Sequence, residues 1–258
     1  MNKIIRVLIY LISGIFFILC AFVGYAIFTL PDVTELIDTN PTTTSFIEYR
    51  KQEAREEGKT LRIHRRWIDW QYIPKVLKRT IVVAEDAAFW VHEGIDWHEV
   101  ESALRENWEE GKIVRGASTI SQQTAKNLYL TPHRNIYRKL KEFLITKELE
   151  SRLNKRRILE IYLNCIEMGE GIFGIRSASN IYFGKHPSQL DISEMVRLAA
   201  ILPNPRQLHP NQSSPELAWR SRTILNRLRH YEFITNSQYR EAKDQLQNFF
   251  DNRSVTSR

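Results

Sequence analysis

Cysteine is almost absent from this chain of 258 residues, Cys20 and Cys165 being the only two. Two isolated thiols cannot build a disulfide framework, and neither has the paired Cys/His spacing of a zinc site. Glycine is sparse, with 10 in the whole chain. Strictly alternating apolar and polar runs are few, which argues against a sheet-rich architecture and for a mainly α class. No internal repeat is present, so solenoids and propellers are excluded. Several catalytic signatures are missing as well. His92-Glu93 and His98-Glu99 lack a second histidine four residues after the first, so neither is a zinc-protease helix. Gly58-Lys59-Thr60 lacks the upstream glycine of a phosphate-binding P-loop, no serine is followed three residues later by lysine, and no G-x-S-x-G occurs.

What is present begins with a run free of charge between Arg6 and Asp32. Val7 to Leu30 is apolar apart from a few small or hydroxyl residues, and at 1.5 Å per residue it reaches about 36 Å, enough to cross a hydrocarbon core of about 30 Å. A cleaved signal peptide would have a shorter apolar region ending in small residues, whereas this run exits through Phe28-Thr-Leu-Pro-Asp32. The expectation is a single membrane anchor. Lys3 and Arg6 precede it and are expected to keep residues 1–6 cytoplasmic, with everything from Pro31 onward outside. Residues 31–66 read as a stalk or extended packing segment, 67–248 as the main folded domain and 249–258 as a tail.

The net charge of +7 is unevenly distributed. Arg134 to Arg157 holds nine basic residues against three acidic ones, +6 in one stretch, so the rest of the part beyond the anchor sums to −1. A concentrated cationic strip on a membrane-tethered domain suits phosphate groups or anionic lipid heads, or is a solvated helix face. Nucleic acid is not the expected partner.

Helical periodicity places candidate groups on shared faces. Lys78 to Trp90 reads as a helix that, if it reaches His92, puts Glu85, Phe89 and His92 on one side. Asp96 to Glu109 reads as another, and 111–116 as a flexible loop. Ser118 or Thr119 is placed to cap a helix running to Leu130, in which Ser118, Gln122 and Lys126 fall at i, i+4 and i+8, with Gln123 alongside. In a helix over 135–153, Arg134, Arg138, Lys141 and Glu142 share one third of the circumference, with Ile136, Leu140, Phe143 and Leu144 opposite. Short helices follow over 156–164 and 191–201, then amphipathic ones over 215–231 and 235–248. Glu85, set among apolar residues in VVAEDAAFW, has its neutral form favoured by desolvation, as suits a general base or acid, although a salt-bridged or capping carboxylate would look the same. Glu142 is equally explained as an i, i+4 partner of Arg138.

At these residues the sequence resembles a known family. Glu85-Asp-Ala-Ala-Phe-Trp-Val-His-Glu-Gly94, Gly116-Ala-Ser-Thr-Ile-Ser-Gln-Gln-Thr-Ala-Lys-Asn127, Arg138-Lys-Leu-Lys-Glu142, Ile158-Leu-Glu-Ile-Tyr-Leu-Asn164 and Leu198-Ala-Ala-Ile-Leu-Pro-Asn-Pro205 are similar, in order, to motifs of the peptidoglycan glycosyltransferases. With one anchor and no acyl-serine motif, the chain looks like a monofunctional member. Met168 stands where many relatives carry an aromatic residue, and Leu208-His209-Pro210 is a variant turn.

The resemblance implies a lysozyme-like, two-lobed, mostly helical glycosyltransferase domain behind the transmembrane helix. It implies polymerisation of lipid II into linear glycan strands, with inversion at the anomeric carbon and release of undecaprenyl pyrophosphate. Carried over by motif, Glu85 is the general base and Glu142 a second catalytic carboxylate that orients cations or helps bind a divalent ion. Lys126, Arg134, Arg138 and Lys139 would meet the pyrophosphate. Asp86, Phe89, His92, Gly116, Ser118, Thr119, Gln122, Gln123, Asn127 and Asn164 complete the implied substrate-binding set. No cofactor is obligatory, and Mg or Mn is compatible with the family. Implied partners are lipid II, the growing strand, membrane lipid and other wall-building proteins, at the outer face of the bacterial inner membrane. A membrane-anchored muramidase and a non-catalytic cell-wall scaffold are the competing readings.

Overall fold

The computed structural model describes residues 3–111, 116–133 and 135–254. The chain is mainly α-helical, as its periodicity predicts. Helix α1 (Lys3–Phe28) holds the apolar run, and of its side chains only Ala26 is buried. It is long and apolar enough to cross a membrane.

Residues 31–66 carry more structure than a stalk. A 3-10 turn over Thr34–Ile37 delivers Val33 and Leu36 to the main core, and α2 (Ser45–Glu56), capped by Thr44, packs on α5. Helix α2 escapes sequence reading because only Phe46 and Ile47 of its twelve residues are buried, too few to set a helical period. Strand β1 (His64–Arg65) pairs in parallel with β3 (Ile172–Phe173), which pairs antiparallel with β2 (Glu167–Gly169). Phe46, Ile47 and Phe173 make a small second core between α2 and this sheet.

The main domain is built from α3 (Lys75–Glu85), α4 (Trp97–Glu109), α5 (Ile120–Tyr129), α6 (Ile136–Arg152), α7 (Lys155–Cys165), α8 (Ile175–Phe183), α9 (Ile192–Ala200), α10 (Pro215–His230) and α11 (Asn236–Ser254). Helix α9 is buried from Ser193 to Ala200, with α3, α8, α10 and α11 packed around it. Helix α5 lies against α6, α7 and α2. Gly174 closes the turn into α8 at φ +77°, where a Cβ would stand 2.7 Å from the Asn164 carbonyl oxygen.

Two expectations are corrected. Helix α3 stops at Glu85, so Phe89 and His92 do not continue its face. The reason is Asp86, which leaves helical geometry (φ −164°, ψ 77°) and spends its carboxylate on the start of α5 instead. In α6 the buried face is Glu142, Ile145, Thr146 and Leu149, while Ile136, expected on the apolar side, is 84% exposed. A carboxylate can lie on the inner face because two cations of the same helix bond to it.

Candidate active site

The site is assembled where the end of α3 meets the beginning of α5. Thr119 caps α5 and forms a capping box with Gln122, each side chain accepting the other residue's backbone N–H. The Thr119 hydroxyl also donates to the Gly94 carbonyl at 2.6 Å. Asp86 accepts the Ile120 N–H at 2.9 Å and pairs with His92 Nε2 at 3.0 Å. The Gly94 N–H donates to His92 Nδ1 at 3.0 Å, which leaves Nε2 to carry the proton toward Asp86. Gly94 is required here: at φ +89° its Cβ would lie 2.8 Å from Thr146 and 2.9 Å from Glu150 on α6. Asp86, His92, Thr119 and Gly94 thus lock α3, α5 and α6 together behind the cleft.

In front of this lock lies a cleft of about 530 Å³, lined by Glu85, Gly116, Ser118 and Thr119 on one side and Trp219, Arg220 and Arg227 on the other. Glu85 is half-buried. Its Oε2 accepts a hydrogen bond of 2.8 Å from Gln123 Nε2, and Gln123 Oε1 accepts the Tyr162 hydroxyl at 3.2 Å. Tyr162 is 1% exposed, so Gln123 is held from within the core. Burial raises the Glu85 carboxyl pKa, against the opposing pull of Gln123, Arg220 and Lys126, and with a small push from Asp86. A base with a raised pKa and, among the described residues, no directly bonded cation is reactive toward a hydroxyl proton.

One and two turns further along α5, Gln123, Lys126 and Asn127 border a second hollow of about 230 Å³ with Arg50, Glu167 and Asn204. Burial lowers the Lys126 pKa; Glu142 and Glu85 counter this, while Arg138 and Lys139 add to it. The cations are therefore crowded together. On α6, Arg138 Nη1 donates to Glu142 Oε2 at 2.8 Å and Lys139 Nζ donates to Oε1. Arg138 Nε is buried with no partner among the described residues, a donor left for a ligand. Arg134 lies outside the described residues.

Glu142 does not fit a divalent-ion site. Both its oxygens accept from cations, and no group of three or more His, Cys, Asp or Glu able to hold a metal occurs among the described residues.

The remaining sequence-derived residues divide clearly. Gly116 and Ser118 are exposed on the cleft wall, and Asn127 faces the second hollow. Asp86 reaches the cleft lining from its floor, while His92, Gln122 and fully buried Phe89 stand behind the wall. Asn164 lies away from both hollows, clamping the Ile68 backbone through its amide and carbonyl at 2.9 and 2.8 Å. Sequence reasoning missed Tyr162 and Arg220. Arg220 donates from Nε to the Ala200 carbonyl at 2.9 Å, and burial lowers its pKa while Glu85 counters it. The one signal was a cation within the amphipathic run LAWRSRTIL, which alone reads as solvated surface.

The sequence model of the transglycosylase family matches residues 52–229, spanning α3, α5, α6 and the cleft-lining part of α10. A biosynthetic peptidoglycan transglycosylase of Chromobacterium violaceum is 41% identical over 215 residues, covering 83% of this chain and 94% of the relative. Those of Methylobacillus flagellatus and Nitrosomonas eutropha are 38% identical over 219 residues and 44% identical over 189. They cover 85% and 73% of this chain, and 96% and 78% of the relatives. The crystal structure of Penicillin-Binding Protein 1A from Haemophilus influenzae superposes with a TM-score of 0.43 at 20% identity, over 71% of this chain and 18% of that one. With the family's model running through all of the cleft lining but Tyr231, and relatives of similar length at about two residues in five identical, this chain belongs to the transglycosylase family and is an enzyme of peptidoglycan synthesis.

Proposed function

We propose that the enzyme polymerises lipid II into linear glycan strands, inverting the anomeric carbon of the donor and releasing undecaprenyl pyrophosphate. The observation that carries this reading is the pairing of Glu85, a carboxylate of raised pKa held by Gln123, with the crowded cations Lys126, Arg138 and Lys139 beyond it on α5 and α6. Glu85 takes the proton of the acceptor sugar's 4-hydroxyl as that oxygen attacks the anomeric carbon of the donor. The bond to the pyrophosphate oxygen breaks on the opposite face. This leaving group is already an anion, so it needs positive charge and donors, not a proton. The unpartnered Arg138 Nε and the Lys126 ammonium supply both. Glu142 holds Arg138 and Lys139 in place. Gly116, Ser118 and Asn127 contact sugar or phosphate from the walls of the two hollows, and Asp86, Phe89, His92, Thr119, Gln122 and Asn164 act by keeping those walls in register.

A muramidase would require a proton donor for a poor alkoxide leaving group. Here the second carboxylate is taken up by two cations. The anchor retains the enzyme beside the bilayer that holds the substrate's lipid, with the domain on the outer face. The test is polymerisation of purified lipid II in detergent, products resolved on a gel. Wild type gives ladders, and Glu85→Gln loses about a thousandfold in rate, the scale of general-base catalysis. A folded wild type that gives no ladder, or a Glu85→Gln variant that polymerises normally, refutes the assignment.

A further inference from the structure

The first turns of α6 carry the Arg138–Glu142–Lys139 cluster on one side and meet the membrane anchor on the other. Tyr137, next to Arg138, meets the last turns of α1: its ring centroid lies 5.4 Å from that of Phe22 and 6.2 Å from that of Tyr25. Its hydroxyl is 3.2 Å from Thr29 Oγ1. Lys141, next to Glu142, donates to the Thr29 carbonyl at 2.8 Å. Ala26, on the same side of α1, is fully buried.

No slack follows the anchor. Leu30 packs against the main core, and Val33 and Leu36 lie inside it. Arg157 then donates to the carbonyls of Leu36 and Thr39 at 2.8 and 3.0 Å, and Arg65 to those of Pro41 and Thr42 at 2.7 and 2.9 Å. A flexible tether would let the domain drift and rotate above the surface. These contacts instead join α1 to the domain as one body.

We propose that α1 is a structural member of the catalytic domain, and that Tyr137 is the positioning residue that fixes the height and tilt of the α6 cations over the bilayer. The inference rests on the reading that the substrate is a lipid pyrophosphate. Such a substrate is tied to the bilayer by its own lipid, so its phosphates occupy a narrow band of depth. A site already held at that depth avoids the entropic loss of finding it. Tyr137 touches no reacting atom and acts through α6.

The test uses the full chain in phosphatidylethanolamine/phosphatidylglycerol vesicles, with a dye at Ser237→Cys in a Cys20→Ala background and an acceptor dye on the lipid surface. Wild type is expected to give one narrow distance distribution. Tyr137→Ala, and separately a Gly/Ser insertion of about six residues between Leu30 and Pro31, should broaden it. In the same vesicles both changes should raise KM for lipid II about tenfold while kcat stays within about twofold, the size expected of lost positioning. Turnover of a short-chain, water-soluble lipid II analogue should be unchanged, and Tyr137→Phe, which keeps the ring contacts, should recover most of the loss. Distributions that match wild type in both variants overturn the proposal, as do equal losses on both substrates, which would mark Tyr137 as merely structural. A narrow wild-type distribution with no turnover of either substrate supports the rigid anchor and sinks the transferase reading alone.

Discussion

Carrying a carboxylate into a half-buried cleft costs stability unless a cation is bonded to it, and among the described residues Glu85 is bonded only to the neutral amide of Gln123. Its folded pKa is raised, first by burial, so ionising it weakens the fold. A wild type that is fully stabilised below the ordinary glutamate value of 4.5 therefore loses stability as pH rises through the elevated folded value. Glu85→Gln should melt higher than wild type at pH 8, with the gap closing by pH 4; thermal melts at the two pH values decide it, and equal melting at pH 8 contradicts the burial argument. The same groups bound the pH–rate profile. In the proposed mechanism turnover needs Glu85 ionised and Lys126 protonated, so the acid limb should lie above 4.5 and the alkaline limb below 10.5. Gln123→Met removes the hydrogen bond that opposes the upward shift, and the acid limb should move higher. A limb that stays in place would mean that Gln123 does not tune the base. Glu85 and Lys126 were legible from apolar flanks and helical spacing. The Gln123–Tyr162 contact was not, because it joins residues 39 apart whose adjacency exists only once α5 and α7 pack.

Helix α2 is held by charge as well as by the apolar contacts of Phe46 and Ile47. Arg50 makes a bidentate pair with Glu167 on β2, at 2.8 and 2.9 Å, and also donates to Glu53 at 2.9 Å. The Arg50 and Glu167 side chains are 15% and 8% exposed. Removing one partner leaves the other desolvated and unpaired, so Arg50→Met and Glu167→Met should each cost about 3 kcal/mol. The double variant should lie much closer to wild type, because replacing a buried ion pair by apolar groups is often nearly neutral. Denaturant titrations of the four proteins measure the coupling, and additive losses would show that the pair is not the clasp. Helix starts were legible wherever a cap stands in the sequence: Thr119, Asn135, Asn154 and Asp191 each accept a backbone N–H at the start of their helices. The end of α3 was not, since Asp86 stops it only because Ile120, 34 residues later, offers an N–H. The inward face of α6 was misjudged for a related reason: a count of apolar residues cannot see that Arg138 and Lys139 make Glu142 fit to be buried.

Over the whole molecule, the apolar run, the cationic strip and the mainly helical class were all readable in advance. The way anchor and domain join was not, for it rests on rings and carbonyls brought together from residues more than 100 positions apart. Because the core residues next to the membrane begin at Leu30, a chain lacking residues 1–28 should still fold, melting within a few degrees of the full chain, yet turn over lipid II in vesicles more slowly. Calorimetry and vesicle assays test the two halves separately; a truncated chain that cannot fold would make α1 part of the folding core. Finally, the Cys165 thiol lies under the Arg65 guanidinium: it is 2% exposed, and burial pushes its pKa up to about 11.

 At neutral pH only about one molecule in ten thousand carries the thiolate there, so oxidants and alkylating reagents find nothing to attack while the fold is closed. Modification of Cys165 then counts openings of the core between α7 and β1, and the chain carries its own clock for how often that core comes apart.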